Sequence, residues 1–339
     1  MPEKINVAVV GATGLVGREL LNALAARKFP VGELTLFASW NTAGELIEYQ
    51  GDQVRVQAVE ADYYQGSQLI FFCTHPLVSR DLAESAVKNG AVVIDASRAF
   101  RLYKEVPLVV PEVNAEALAE FKKKRAGLVA TPAPVATALA LALAPVQRAF
   151  GIKRVIAAST HGSTSAGRAG FEEHQRQTIS IFNQQELEIQ KFNRQTAFNT
   201  FPQVGPFTAG ISEEESDIEQ ELPKILGLKS FPITVTAAYV PIFCGASAAV
   251  NVETEKPASL EKVRELLEEA PGVLVFDRPE AEEYPDTLLA MAREEVLVGR
   301  LRKDRTAESA FSLWISLDNL RKGSALNMVQ IAEAIFVSN

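Results

Sequence analysis

The most constraining feature is near the N-terminus. An apolar, β-branched run, Ile5 to Val10, stops at Gly11, and Gly11-Ala-Thr-Gly-Leu-Val-Gly17 then opens a segment of helical period ending near Lys28. A strand, a glycine turn and a helix in that order let backbone N–H groups approach a pyrophosphate closely, and the start of the helix adds favourable partial charge. Three glycines alone are a weak signal; between a strand and a helix they point to nucleotide binding or a vestige of it. The competing reading is a glycine corner used only for packing.

The next hundred or so residues keep the same texture. Strands are expected at Glu33 to Ala38, Gln68 to Cys73 and Ala91 to Asp95, with polar, alternating stretches up to Val59 and a helix at Ser79 to Asn89. Alternating strands and helices imply a parallel, doubly wound α/β sheet. From Thr131 the pattern changes to a buried helix (Val135 to Phe150), a strand at Arg154 to Ser159, a polar helix after Ser163 and an acidic run, Glu213 to Glu221, read as a solvated helix face. Longer β-rich segments at Ile233 to Phe243, Ala248 to Glu253 and Leu297 to Lys303 predict a second, α+β domain with a mixed sheet. The tail from Asn327 to Phe336 has helical spacing.

Composition narrows the partners. With 42 acidic against 34 basic residues the net charge is −8, which argues against nucleic acid or an anionic membrane as partner. The apolar run Val135 to Pro145 is too short to span a bilayer and reads as a core helix. Two cysteines, Cys73 and Cys244, and no charged, apolar leader pattern near Lys4 place the chain in a reduced cytoplasm.

Four later stretches add to the glycine turn. They are Gly90-Ala-Val-Val-Ile-Asp95 with Ala99-Phe-Arg101, then Val106-Pro-Leu-Val-Val-Pro-Glu-Val-Asn114, then Val296-Leu-Val-Gly-Arg300, and finally Asp318 to Glu333. Together they resemble the aspartate-semialdehyde dehydrogenase family nearly end to end. The resemblance implies a Rossmann-type dinucleotide-binding domain (1–131 plus 315–339), a substrate and dimerisation domain (132–314) and a homodimer. The family's chemistry, part of amino-acid biosynthesis, is reductive dephosphorylation of aspartyl phosphate with NADPH.

Residue by residue, the resemblance also implies that this chemistry is gone. The family's nucleophile is the Cys of an Asn-Pro-Asn-Cys-Ser/Thr motif at a helix start; the matching stretch is Thr131-Pro-Ala-Pro134-Val135, so Pro134 stands at the thiol's position. The general base is a His in Gly-His-Ser, and here Gly245-Ala246-Ser247 puts Ala246 there. Tyr239 replaces a substrate-carboxylate Arg, Ser159-Thr-His-Gly lacks the family's Gln, and Glu214-Glu215-Ser-Asp217 reverses the charge of its Lys. Arg101, matching a phosphate-binding Arg, and Glu215 are what remains of a substrate-like pocket. The expectation is a pseudoenzyme, most similar to the Usg-type paralogues of the family; an NAD(P)-dependent oxidoreductase with altered substrate or mechanism is the alternative.

For the cofactor, the resemblance implies a site formed by Gly11, Thr13, Gly14, Leu15, Val16, Ser39, Thr42 and Gln330. Its occupant is NADP or NAD, or the site is empty of function. The family's Ala-Ser-x-Arg-Ser-Ala-Gly segment reads Ala38-Ser-Trp-Asn41-Thr-Ala-Gly44, without the guanidinium that favours NADP, and Cys73-Thr-His75-Pro76 is bulkier than the family's Ser-Ala-Gly-Gly. Two places could carry replacement chemistry: Cys73 with His75, and His161, on a loop, with Ser163, Thr164 and Ser165. Against these stand a small buried thiol at a strand end, likewise for Cys244, and an ordinary polar loop with no carboxylate partner nearby in the chain. His75, His161 and His174 show no metal-ligand spacing.

Overall fold

The computed structural model describes residues 3–60 and 65–337, which form two compact units: Met1–Pro132 with Ser324–Asn339, and Ala133–Gly323. The chain re-enters the first unit at Ser324, not at 315, because the last long strand of the second unit runs on to Leu317.

The first unit holds β1 (Ile5–Val10), α1 (Leu15–Ala26), β2 (Val31–Ala38), β3 (Leu46–Tyr49), β4 (Asp52–Ala58), β5 (Leu69–Phe72), α2 (Pro76–Lys88), β6 (Val92–Asp95), short helices α3 (Pro111–Asn114) and α4 (Ala119–Lys124), and β7 (Gly127–Ala130). The sheet order is β3-β4-β2-β1-β5-β6-β7, parallel except for the β3–β4 hairpin. Strand order therefore reverses at β1 and β5, the switch point at which doubly wound folds bind ligands. Burial on both faces explains the near-continuous apolar runs Val7 to Val10 and Leu69 to Phe72. A C-terminal helix, Leu326–Phe336, adds Met328, Val329, Ile331 and Ala332 to this core. The buried Asn327 there donates through Nδ2 to the Val109 carbonyl (2.8 Å) and the Thr131 hydroxyl (2.6 Å).

The second unit comprises α5 (Pro134–Phe150), β8 (Ile152–His161), α6 (Gly167–Phe182), a two-residue hairpin of β9 (Phe207–Thr208) and β10 (Ile211–Ser212), α7 (Glu213–Ile225), β11 (Ile233–Tyr239), β12 (Ala246–Thr254), α8 (Leu260–Glu268), β13 (Val273–Val275), α9 (Thr287–Ala290), β14 (Val296–Lys303) and β15 (Ala310–Leu317). Its sheet, β11-β8-β12-β15-β14-β13, mixes parallel and antiparallel pairs, so the α/β class with a mixed second sheet is as the sequence indicated. Periodicity missed β7, β13 and β15 and the helix α8. The expected strand Ile233 to Phe243 stops at Tyr239 because Pro241 cannot extend the ladder.

The acidic run is not a solvated face. Glu215, Asp217 and Glu221 are buried in α7. Ser212 and Glu215 form a capping box, with Glu215 Oε2 accepting from Ser212 N (2.7 Å), while Oε1 accepts from Ala237 N (2.9 Å). Glu219, one helical turn on, accepts from Val235 N (2.9 Å). Four helical residues rise about 6 Å and two strand residues about 7 Å, so the carboxylates of an antiparallel helix meet alternate N–H groups of an edge strand. That edge is completed by Phe201, whose backbone exchanges hydrogen bonds with Tyr239.

Glu215→Ala removes a helix cap and the acceptor of a buried strand N–H together. We expect a loss of about 2–3 kcal/mol in denaturant unfolding, against a smaller loss for the half-buried Glu219→Ala.

Candidate functional site

In the first unit the glycine turn has the geometry a pyrophosphate requires. Gly11 has φ +90°, and a Cβ there would lie 2.4 Å from the Cys73 carbonyl oxygen. A Cβ on Gly17 would lie 2.2 Å from the Gly11 carbonyl oxygen, so only glycine lets α1 pack this closely on the turn. Gly14 is the N-cap of α1 with no side-chain cap, and Leu15 and Val16 form its first turn. Thr13 Oγ1 lies 3.1 Å from Thr42 Oγ1, tying the turn to the loop after β2, where the Ser39 carbonyl accepts from Thr42 N and Ala43 N. These residues fit a dinucleotide. Gln330, on the C-terminal helix, donates through Nε2 to Glu112 Oε1 (2.8 Å).

A buried polar relay runs along the same ends of β5 and β6. Thr74 Oγ1 meets Ser79 Oγ at 3.0 Å, Ser79 Oγ donates to Asp95 Oδ1 at 2.7 Å, and Ser97 Oγ donates to Asp95 Oδ2 at 2.7 Å. Burial raises the Asp95 carboxyl, opposed by the Ser97 and Ser79 hydroxyls and then by the Arg101 guanidinium. Arg101 is itself buried and donates from Nη2 to the Ala96 carbonyl (2.8 Å). Cys73, just past β5, is no thiolate: burial, with the charge of Asp95, raises its thiol well above the usual range. His75 spends its Nδ1 on capping α2 at Leu77 N (3.4 Å).

In the second unit Pro134 and Ala246, the positions singled out by the resemblance, lie near one corner. Pro134 is the first residue of α5, where its fixed φ suits the helix and its missing N–H costs nothing. Glu221 Oε2 accepts from the N-cap, Ala133 N, at 2.7 Å. Gly323 packs so closely that a Cβ on it would sit 2.6 Å from Pro134 Cβ and 3.2 Å from Leu317 Cδ1. Leu317 is the ladder partner of Ala246, Ala246 in turn pairs with His161, and His161 with Tyr239. Paired residues share a sheet face, so Tyr239, His161 and Ala246 stand in a row.

His161 is therefore not on a loop. It ends β8, is 2% exposed, and bridges Ser159 Oγ (2.9 Å from Nε2) and Glu214 Oε1 (4.0 Å from Nδ1). The carboxylate absent from its own stretch of chain is supplied by α7, across a separation that no local pattern reveals. Burial lowers the imidazole to about 4, so it is neutral at physiological pH. Glu215, expected in a substrate-like pocket, has both oxygens on backbone N–H groups, and Glu214 is the acid facing the row. The Ser212-x-x-Glu215 spacing was the available signal for that division of roles. Tyr239, which the resemblance sets against a family Arg, packs its ring on Phe192 (5.1 Å) and Phe201 (5.4 Å) in an aromatic cluster. His174 stacks on Phe243 (4.5 Å) and meets Ser163 Oγ at 3.1 Å.

Cys244 is half-buried with its thiol raised by burial; Thr164 hydrogen-bonds to it and Asp318 adds charge. The Thr164 hydrogen bond pulls the other way and favours the thiolate, but burial, with the charge of Asp318, outweighs it. Among the described residues no group of three or more His, Cys, Asp or Glu is arranged to hold a metal ion, and no helix is long and apolar enough to cross a membrane.

A glycine turn at the switch point of a doubly wound sheet, carried on one chain with a mixed-sheet domain, defines the class of two-domain proteins built on a dinucleotide-binding fold. Comparison with known proteins agrees: the model for the semialdehyde dehydrogenase NAD binding domain matches residues 6–121, and that for the semialdehyde dehydrogenase dimerisation domain matches residues 143–322. The aspartate-semialdehyde dehydrogenase of Aquifex aeolicus is 40% identical over 332 residues, covering 97% of each chain. Aspartate semialdehyde dehydrogenase II of Vibrio cholerae superposes with a TM-score of 0.93 at 38% identity over 98% of both chains. A probable aspartate-semialdehyde dehydrogenase of Pseudomonas aeruginosa gives 0.91 at 35% identity over 99% of both. The chain belongs to the aspartate-semialdehyde dehydrogenase family.

The folded His161 binds its proton only below about pH 4, whereas an unfolded histidine does so below about 6.5. The unfolded state thus holds more protons between those values, and stability falls as pH drops through that window, by up to about 3 kcal/mol in all. Urea unfolding of wild type and His161→Gln from pH 7 to 4 should show the variant losing this component; parallel profiles would contradict the assignment.

Proposed function

We propose that this chain is a non-catalytic member of its family, a Usg-type homologue that keeps the dinucleotide-binding domain and the homodimer but not the acyl-transfer chemistry. The observation that carries the reading is the corner of the second unit. Pro134 begins α5 there and Ala246 pairs with Leu317 beside it, so neither a nucleophilic atom nor a proton acceptor is present at the two positions the resemblance assigns to them. Covalent catalysis by thioester needs both. The remaining candidates are engaged elsewhere: both thiols are raised by burial, and His161 is held between Ser159 and Glu214.

The relatives whose names denote the enzyme support a shared scaffold, and identity near 40% is compatible with loss of two functional atoms. The fit of the glycine turn to a pyrophosphate supports retained binding of a nicotinamide dinucleotide, which when bound supplies hydride-transfer capacity. A dimerisation domain supports the homodimer. So does the sheet face opposite Val155, Ala157 and Ser159, where Ile156 is 40% exposed and Ala158, Thr234 and Thr236 are also open.

A second reading, an oxidoreductase that moves hydride without a covalent intermediate, is favoured only by the preserved turn. The purified protein should show no phosphate-dependent oxidation of aspartate semialdehyde with either NADP or NAD above the enzyme-free rate. Turnover that disappears in Arg101→Ala would refute the non-catalytic reading. Light scattering on the eluting peak should give twice the chain mass.

A further inference from the structure

The loop after β2 carries a specificity that the glycine turn does not. In doubly wound dinucleotide folds the residues following the second strand of the parallel run meet the adenosine ribose, and a guanidinium there receives a 2′-phosphate. In this chain β2 ends at Ala38 and the next six residues, Ser39-Trp-Asn-Thr-Ala-Gly44, include no cation. The loop is held beside the turn: Thr42 and Ala43 N–H groups close it on the Ser39 carbonyl, and the Thr13 and Thr42 hydroxyls join the two segments at 3.1 Å.

Of the charges nearby, Arg18 is engaged, Glu45 has the wrong sign, and Arg55 is an exposed cation. Arg18, on α1, places Nη2 3.0 Å from Glu45 Oε2 and donates from Nε to the Thr13 carbonyl (3.4 Å). A 2′-phosphate, carrying between one and two negative charges, would have to share Arg18 with Glu45 and face that carboxylate directly. The exposed Arg55 of β4 brings Nη2 to 4.0 Å from where a Gly44 Cβ would be, a cation outside the hydrogen bond that joins Glu45 to Arg18. A 2′-hydroxyl suffers no such repulsion and finds acceptors in a carboxylate and an Asn41 amide.

We propose that the first unit selects dinucleotides with a free 2′-hydroxyl, NAD and its ADP-ribose moiety, over 2′-phosphorylated ones, with Glu45 as the selecting residue. This rests on the reading that the unit still binds a nucleotide. Titration calorimetry of the full-length protein with NAD, NADP and ADP-ribose tests it. NAD is expected to bind about tenfold or more tightly than NADP, Glu45→Gln to narrow that ratio, and Asn41→Arg, on the exposed loop, to invert it.

Trp40, 72% exposed in this loop, provides a local readout, because the other tryptophan, Trp314, belongs to β15 in the second unit. The emission change on adding NAD should vanish in Trp40→Phe; NAD binding that leaves Trp40 emission unchanged would place the ligand elsewhere and overturn the proposal. Equal or tighter binding of NADP, particularly if lost in Arg55→Ala, would overturn the selectivity while leaving nucleotide binding standing. No heat with any of the three would remove the nucleotide-binding reading itself.

Discussion

Two carboxylates one helical turn apart meet two strand N–H groups two residues apart, and the functional corner of the second unit is arranged by that match. Glu215 and Glu219 of α7 close the open edge of β11 at Ala237 and Val235, which seats α7 along the strand and brings Glu214 over His161 and Tyr239. Glu221, further along the helix, holds the N-cap of α5. One helix thus places an acid beside the row that strand pairing sets, Tyr239-His161-Ala246, and holds the start of the helix that Pro134 opens. Charged groups this deeply buried are retained only where each oxygen has a donor, and here the donors are backbone N–H groups that would otherwise be unmet.

The same economy appears in α6. Glu173 and Gln177 are buried and accept from the backbone of the following loop, Glu173 from Gln190, Lys191 and Phe192 and Gln177 from Thr196 and Ala197. That loop supplies Phe192 and Phe201 to the ring cluster around Tyr239. Tyr239 is therefore held by apolar packing, while Glu173 and Gln177 nearby are spent on fixing backbone.

In the first unit the corresponding constraint is steric. Because Gly17 lets α1 lie against the Gly11 carbonyl, the helix start is aimed at the switch point between β1 and β5, and Thr13 reaches the loop after β2. Geometry of this kind depends on backbone and glycine and not on the residues of the second unit. The electrostatics of the adjoining loop are set separately, by Glu45 and Arg18, and can change without disturbing the turn.

By itself the sequence determined the glycine turn, the doubly wound order of the first unit, the buried helix opened by Pro134 and the absence of a thiol and an imidazole at positions 134 and 246. Each of these is local, written in periodicity, in glycine and proline stereochemistry, or in the identity of a single side chain. Only the tertiary structure decided that Pro134 and Leu317, the ladder partner of Ala246, both flank Gly323, that His161 ends a strand with Glu214 as its distant partner, and that Glu215, Asp217 and Glu221 of α7 face inward. Those facts depend on strand register and on helix contacts between residues far apart in the chain, Ala133 and Glu221 by 88 positions, whereas in the sequence a run of glutamates looks the same whether it is solvated or is holding a strand in place.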